Sequence, residues 1–157
     1  IYDFRDIGVV LFFRHTIRID MADHANRVTP QHRLIEQPGE TWLMRHQPDQ
    51  QSWPADVTQI AVPLREQQLD LVAMMMLLGQ RQINSVWVEA GATLAGALLQ
   101  AGLVDELIVY LAPKLLGHEG RGLCQLPGLS QLADAPAFRF SDVRQVGDDL
   151  RLTLTPQ

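Results

Sequence analysis

The chain has 157 residues, 46% of them hydrophobic and 20% charged, which is enough for one ordinary globular core and short for two. Its net charge of -5 and pI near 5.4 argue against a nucleic-acid or anionic-membrane surface. A single cysteine, Cys124, excludes an intrachain disulfide and a paired-cysteine zinc site; no apolar run reaches the roughly 20 residues of a membrane span, and no secretory signal opens the chain, so the expected compartment is the cytoplasm.

Val9 to Phe13 is a continuous apolar run, readable as a buried strand or as an ill-ordered chain end. Ile17 and Ile19 alternate with Arg18 and Asp20, which predicts a short strand, and Asp23-His24-Ala25-Asn26 has turn chemistry. Thr29-Pro30 reads as a cap with proline at the first helical position, so a short helical turn through Ile35 is expected. Gln37 to Glu40 is turn material ahead of a strand at Thr41 to Met44, and a polar loop from His46 to Asp56 leads to a strand at Val57 to Val62. From Glu66 to Gln80, Leu69, Val72, Ala73, Met76 and Leu77 recur at helical spacing, with Gly79 near a C-terminal cap. The Met74-Met75-Met76 run is read as core filling rather than a ligand surface.

The rest of the chain is organised around Ser85 to Leu99. Val86, Trp87 and Val88 predict a buried strand ending on Glu89; Gly91 turns the chain, and the following residues to Gly102 predict a helix. Glu106 to Ala112 is the next strand, stopped by Pro113. Strand, helix, strand, helix, strand implies parallel strands with helical crossovers. Lys114 to Pro136 is a long connection with Leu115, Leu116, Leu123, Leu126 and Leu129 as expected apolar anchors, and Ala137 to Val146 and Leu150 to Thr155 form a hairpin about Gly147-Asp148-Asp149. The expected fold is therefore α/β, with a mixed, mostly parallel sheet flanked by helices and a C-terminal antiparallel hairpin.

A carboxylate closing an apolar strand is costly unless it is hydrogen-bonded or exposed at a site, so Glu89 is the leading functional acid; an acid that merely ends a strand and caps the next helix weighs about equally. Gly91, Thr93 and Gly96 could let a diphosphate approach backbone N–H groups at the helix start, yet small residues also permit close packing, and the pattern is not G-x-G-x-x-G. The five histidines are scattered without metal-ligand spacing, no serine has a nucleophile-elbow context, and Cys124 reads as a small core residue. Lys114, His118 and Arg121 could meet an anion, but a solvated loop face explains them equally well. No metal site and no catalytic residue is assigned.

The run Ile83 to Leu107, and within it Glu89-Ala90-Gly91-Ala92-Thr93-Leu94-Ala95-Gly96-Ala97, closely resembles the C-terminal reductase domain of the bacterial bifunctional riboflavin-biosynthesis deaminase/reductase. The similarity extends through Ala112-Pro113-Lys114-Leu115-Leu116-Gly117 and Arg121-Gly122-Leu123, and upstream through Asn26 to Pro30 and Pro38 to Trp42. It divides the chain into a poorly matched segment, 1–16, and a reductase-like domain, 17–157. The resemblance implies a dihydrofolate-reductase-like fold, a homodimer, and NADPH-dependent reduction of a phosphoribosylaminouracil, a phosphorylated aminopyrimidine, to its ribitylamino product. It also implies that Glu89 contacts the pyrimidine, that Gly91, Ala92, Thr93, Leu94, Ala95, Gly96 and Ala97 hold the cofactor phosphates, and that His24 lies at a further cofactor contact.

Departures from the family pattern sit beside the match. Ala92 stands where the family has proline and His24 where it usually has serine, and Ile1 to Phe13 does not match the family's N-terminal reductase segment. The alternative to an active reductase is thus a truncated, inactive copy that keeps the fold with nucleotide binding or dimerisation; a generic nucleotide-binding module comes third. No H-x-E with P-C-x-x-C occurs, so deamination is not expected.

Overall fold

The computed structural model describes residues 17–20 and 25–157. The Val9–Phe13 run and the predicted cofactor position His24 lie outside these residues. Two compact units divide at Leu94 and Ala95.

In the first unit, β1 (Ile17–Asp20), β2 (Glu40–Arg45) and β3 (Val57–Ala61) form a parallel sheet with β2 in the middle. Thr41 to Arg45 are all buried, as a central strand covered on both faces requires. Alternation sends Trp42 and Met44 into one cluster with Ile60, Val62, Leu69, Met74 and Leu78, and sends Leu43 into another with Val28 and Ile35. Each such side chain contributes about 1.5–3 kcal/mol of transfer free energy, which fixes the strand's register. The helical turn expected after Thr29 is instead two i→i+3 turns, closed by the N–H groups of His32 and Ile35 on the carbonyls of Thr29 and His32.

The helix expected from Glu66 starts later. Leu64–Arg65 (β4) and Gln68–Leu69 (β5) pair as a small hairpin, with Glu66 and Gln67 at φ 52° and 66° in its two-residue turn. Asp70 then caps α1 (Leu71–Gln80), its carboxylate accepting the Ala73 N–H at 3.0 Å. The buried stripe is Met74 and Leu78, while Met76 is 63% exposed, so the expected Val72–Met76 face is corrected. Leu71 to Leu78 is apolar throughout, and packing on Ile60 and Val62, not sequence contrast, sets the phase. Gly79 lies within the helix, and the left-handed C-terminal position is Gln82, at φ 63°.

No regular strand forms at Val86 to Val88. The run is extended, and only Glu89 makes an isolated bridge, although Val86, Val88 and Ala90 pack alternately against the first core. The helix after Gly91 is present as α2 (Ala92–Gln100). It ends on Gly102, at φ 64°, with Gly102 N–H on Leu99 O and Leu103 N–H on Leu98 O, a Schellman closure.

In the second unit, β6 (Leu107–Leu111), β7 (Phe138–Val146) and β8 (Asp149–Pro156) form an antiparallel sheet in the order β6-β8-β7. The turn at Gly147 forms as expected, with Gly147 at φ 62°. β6 was expected among parallel strands, but its ladder is antiparallel to β8, because the hairpin returns β8 beside it. Among the described residues the strands make one parallel and one antiparallel three-stranded sheet plus the β4–β5 hairpin, rather than one mostly parallel sheet. The long connection is also corrected: Leu115, Leu116, Leu123 and Leu129 are exposed, and of the expected anchors only Leu126 is half-buried.

Candidate active site

Glu89, Gly91, Ala92 and Thr93 come together on one turn because an extended run ends there and α2 begins. Glu89, Gly91 and Thr93 are all exposed residues of this turn. The first turn of α2 carries no acidic side chain, and the opening N–H groups of any helix lack intrahelical partners, so a partial positive charge collects there. A Cβ built on Gly91 would meet nothing within 4 Å, so the backbone there is open to a ligand. These features fit an anionic group such as a diphosphate.

The later residues of the predicted phosphate turn have different surroundings. Leu94, Ala95 and Ala97 are half-buried in the body of α2, and Gly96 is buried. A Cβ on Gly96 would lie 1.8 Å from the carbonyl oxygen of Gln125, so that glycine is required by the close approach of the 122–126 segment. Lys114, His118 and Arg121 are all exposed on the long connection, and Cys124 is a half-buried free thiol.

Arg45, absent from the sequence-based candidates, anchors the carboxyl end of β2. Its side chain is fully buried; Nη1 donates to Asp49 Oδ2 at 2.6 Å and to Gln59 Oε1 at 2.9 Å, Nη2 donates to the Val28 carbonyl, and the guanidinium lies 4.8 Å from the Trp53 ring centre. A buried charge of this kind persists only when paired and hydrogen-bonded. Burial pushes the Asp49 carboxyl up, but hydrogen bonds from the Trp53 indole, the Gln51 N–H and amide, and Arg45 together bring it down to about 2. Beside this anchor, Asn26 at φ 51° donates from Nδ2 to the Gln47 carbonyl at 3.0 Å. The chain at Asn26 is therefore tied to Gln47, two residues beyond β2. The available signal was Arg45 closing an apolar strand with Asp49 four residues on, a charge that needs an internal partner.

A match to the family described as RibD C-terminal domain spans residues 14–152. The riboflavin biosynthesis protein RibD of Escherichia coli (strain K12) is 62% identical over 141 residues, 90% of this chain and 38% of that protein. The 5-amino-6-(5-phosphoribosylamino)uracil reductase of Buchnera aphidicola subsp. Acyrthosiphon pisum is 41% identical over 145 residues, 92% of this chain and 70% of the relative. The structure of Acinetobacter baumannii RibD matches with a TM-score of 0.68 at 29% identity, covering 90% of this chain and 37% of that one. The chain thus spans less than two fifths of the RibD proteins and more than two thirds of the Buchnera reductase. The similarity that begins in the run around Glu89 extends over nearly the whole chain, and the chain belongs to the RibD C-terminal domain family.

Proposed function

We propose that the chain is the reductase domain, over 17–157, of a riboflavin-biosynthesis enzyme of the cytoplasm, and that it reduces 5-amino-6-(5-phosphoribosylamino)uracil to its ribitylamino product with NADPH. The observation that carries this reading is the exposed Glu89 beside an open, acid-free helix start, within a chain 41% identical to a reductase named for that substrate. In this reading the sheets belong to a dihydrofolate-reductase-like fold, and two copies associate as a homodimer.

Bound NADPH supplies the hydride, and the reduction also consumes one proton. The residues of this chain bind and orient. The backbone at Gly91 to Thr93 receives the diphosphate, with the Thr93 hydroxyl beside it, while the half-buried Leu94 to Ala97 and the buried Gly96 hold the helix that presents those N–H groups. His24 belongs to the cofactor side. Glu89 accepts hydrogen bonds from the N–H groups of the aminopyrimidine, which fixes the ring relative to the reacting sugar carbon.

Incubating the purified chain with the aminouracil substrate and following loss of nicotinamide absorbance tests the proposal directly. Turnover that falls at least about tenfold in kcat/KM in E89Q supports it. Saturable NADPH binding without turnover would replace it with the inactive, nucleotide-binding reading, and absence of both would remove it.

A further inference from the structure

We infer that Trp87 is the stacking platform for the pyrimidine ring whose N–H edge Glu89 receives; this rests on the proposed reduction of an aminouracil with Glu89 as its contact. The run from Ser85 to Ala90 is extended, so successive side chains take opposite sides. Val86, Val88 and Ala90 pack against the first core, while Ser85, Trp87 and Glu89 are exposed. Trp87 and Glu89 are therefore neighbours on one side of the run, about 7 Å apart at the usual rise of an extended chain.

The other two tryptophans are engaged within the first unit. Trp42 is buried in the core, its Nε1 donating to Glu40 Oε1 at 2.6 Å. Trp53 is half-buried, its Nε1 donating to Asp49 Oδ1 at 2.8 Å and its ring lying against the Arg45 guanidinium. Trp87 is 49% exposed, and its indole N–H has no hydrogen bond among the described residues. A lone exposed apolar residue is ordinary on a protein surface. What sets Trp87 apart is its place, two residues before Glu89 on the same side of the run, with only the small Ser85 preceding it there. A planar pyrimidine stacked on the indole leaves water on one face without being fixed in rotation. Hydrogen bonds from its edge N–H groups to an ionised carboxylate, which only accepts, then fix that rotation. The two contacts divide the task, and a sugar or phosphate alone gains nothing from the indole face.

Calorimetric titration of the full chain with 5-amino-6-(5-phosphoribosylamino)uracil and with NADPH tests the assignment in wild type, W87F, W87L and W87A. The expected result is about a tenfold loss of affinity for the uracil in W87L and W87A, and a loss of no more than about threefold in W87F, which keeps an aromatic face. NADPH affinity and melting temperature should stay at wild-type values in all three. Indole emission gives a second readout: the uracil should quench it in wild type but not in W87F, and ribose 5-phosphate, which carries no base, should leave it unchanged. Wild-type affinity for the uracil in W87L or W87A, a larger loss for NADPH than for the uracil, or quenching that persists in W87F overturns the assignment while leaving the reductase reading intact. So does a lowered melting temperature with both ligands weakened alike, which would make Trp87 a packing residue. If the wild type does not bind the uracil, the reductase reading fails, and this assignment fails with it.

Discussion

Asp49 carries the titration that ties stability to pH in the first unit. Its carboxyl is held at about 2 against an ordinary 3.8, so the folded state favours the ionised form more than the unfolded state does. The stabilisation is fully present above 3.8 and is lost as pH falls from there through about 2. Asp49→Asn removes the titrating group but keeps a side chain able to accept from Trp53 and Gln51. We expect the wild type to lose more stability than D49N between about pH 5 and pH 2, with the gap opening below pH 4; urea midpoints at matched ionic strength measure it. Parallel acid limbs for the two proteins would show that Asp49 is not the linked group. Arg45 was legible in the sequence only as an oddity, a charge ending an apolar strand. Its partners Gln59 and Val28 lie 14 and 17 residues away, and no local pattern brings them together.

The elements most readable in the sequence are those whose ends carry local chemistry. Gly102 closes α2 in the left-handed conformation that glycine adopts at least cost, and β7 and β8 meet at Gly147 for the same reason. The β4–β5 hairpin was missed because Glu66 and Gln67 occupy positive φ without the glycine or asparagine that usually marks such a turn. α1 ends likewise: Gln82 N–H bonds Gly79 O and Ile83 N–H bonds Leu78 O about a left-handed glutamine. Replacing Gln82 by glycine should therefore stabilise the chain, by roughly 0.5–1 kcal/mol, read as a raised urea midpoint at unchanged slope. A lowered midpoint would mean that the glutamine side chain makes up for its backbone cost. The proposed phosphate turn was legible as a turn before a helix but not in its division of labour, because Gly91 and Gly96 look alike in sequence. Gly91→Ala enters open space and should leave the melting temperature within a degree or two while weakening NADPH binding. Gly96→Ala forces a methyl group into the Gln125 backbone and should destabilise by about 1–3 kcal/mol or more. Equal melting temperatures for the two variants would refute the division.

At the scale of the molecule, the alternation of strands and helices predicted the α/β class but could not show that β6 pairs with a strand some 40 residues later in the chain, since β-pairing depends on partners that no local window contains. That pairing creates the feature on which the proposed homodimer depends. Register aligns Leu107, Leu154 and Phe140 in one row, Val109, Leu152 and Val143 in the next, and Leu111, Leu150 and Gln145 in a third, all on one face of the antiparallel sheet, which is apolar but for Gln145 at its end. The opposite face carries Thr153, which is buried, with Asp142, Arg144 and Arg151 in an ion-paired group. The apolar face is the more open one: Phe140 is 65% exposed, Val143 54%, Leu111 53% and Leu150 41%. A contiguous apolar face of this kind is unusual on a monomer and suits an interface between like copies. In a two-fold interface every residue appears twice, so Val143→Glu in the middle row sets two carboxylates in an apolar contact, where neither is solvated. Sedimentation equilibrium should give the wild type twice the 17.6 kDa chain mass and V143E the chain mass itself, with V143E retaining the wild-type circular dichroism. A V143E protein that stays dimeric would move the interface off this face, and a wild type that sediments as a monomer at micromolar concentration would remove the dimer from the proposal.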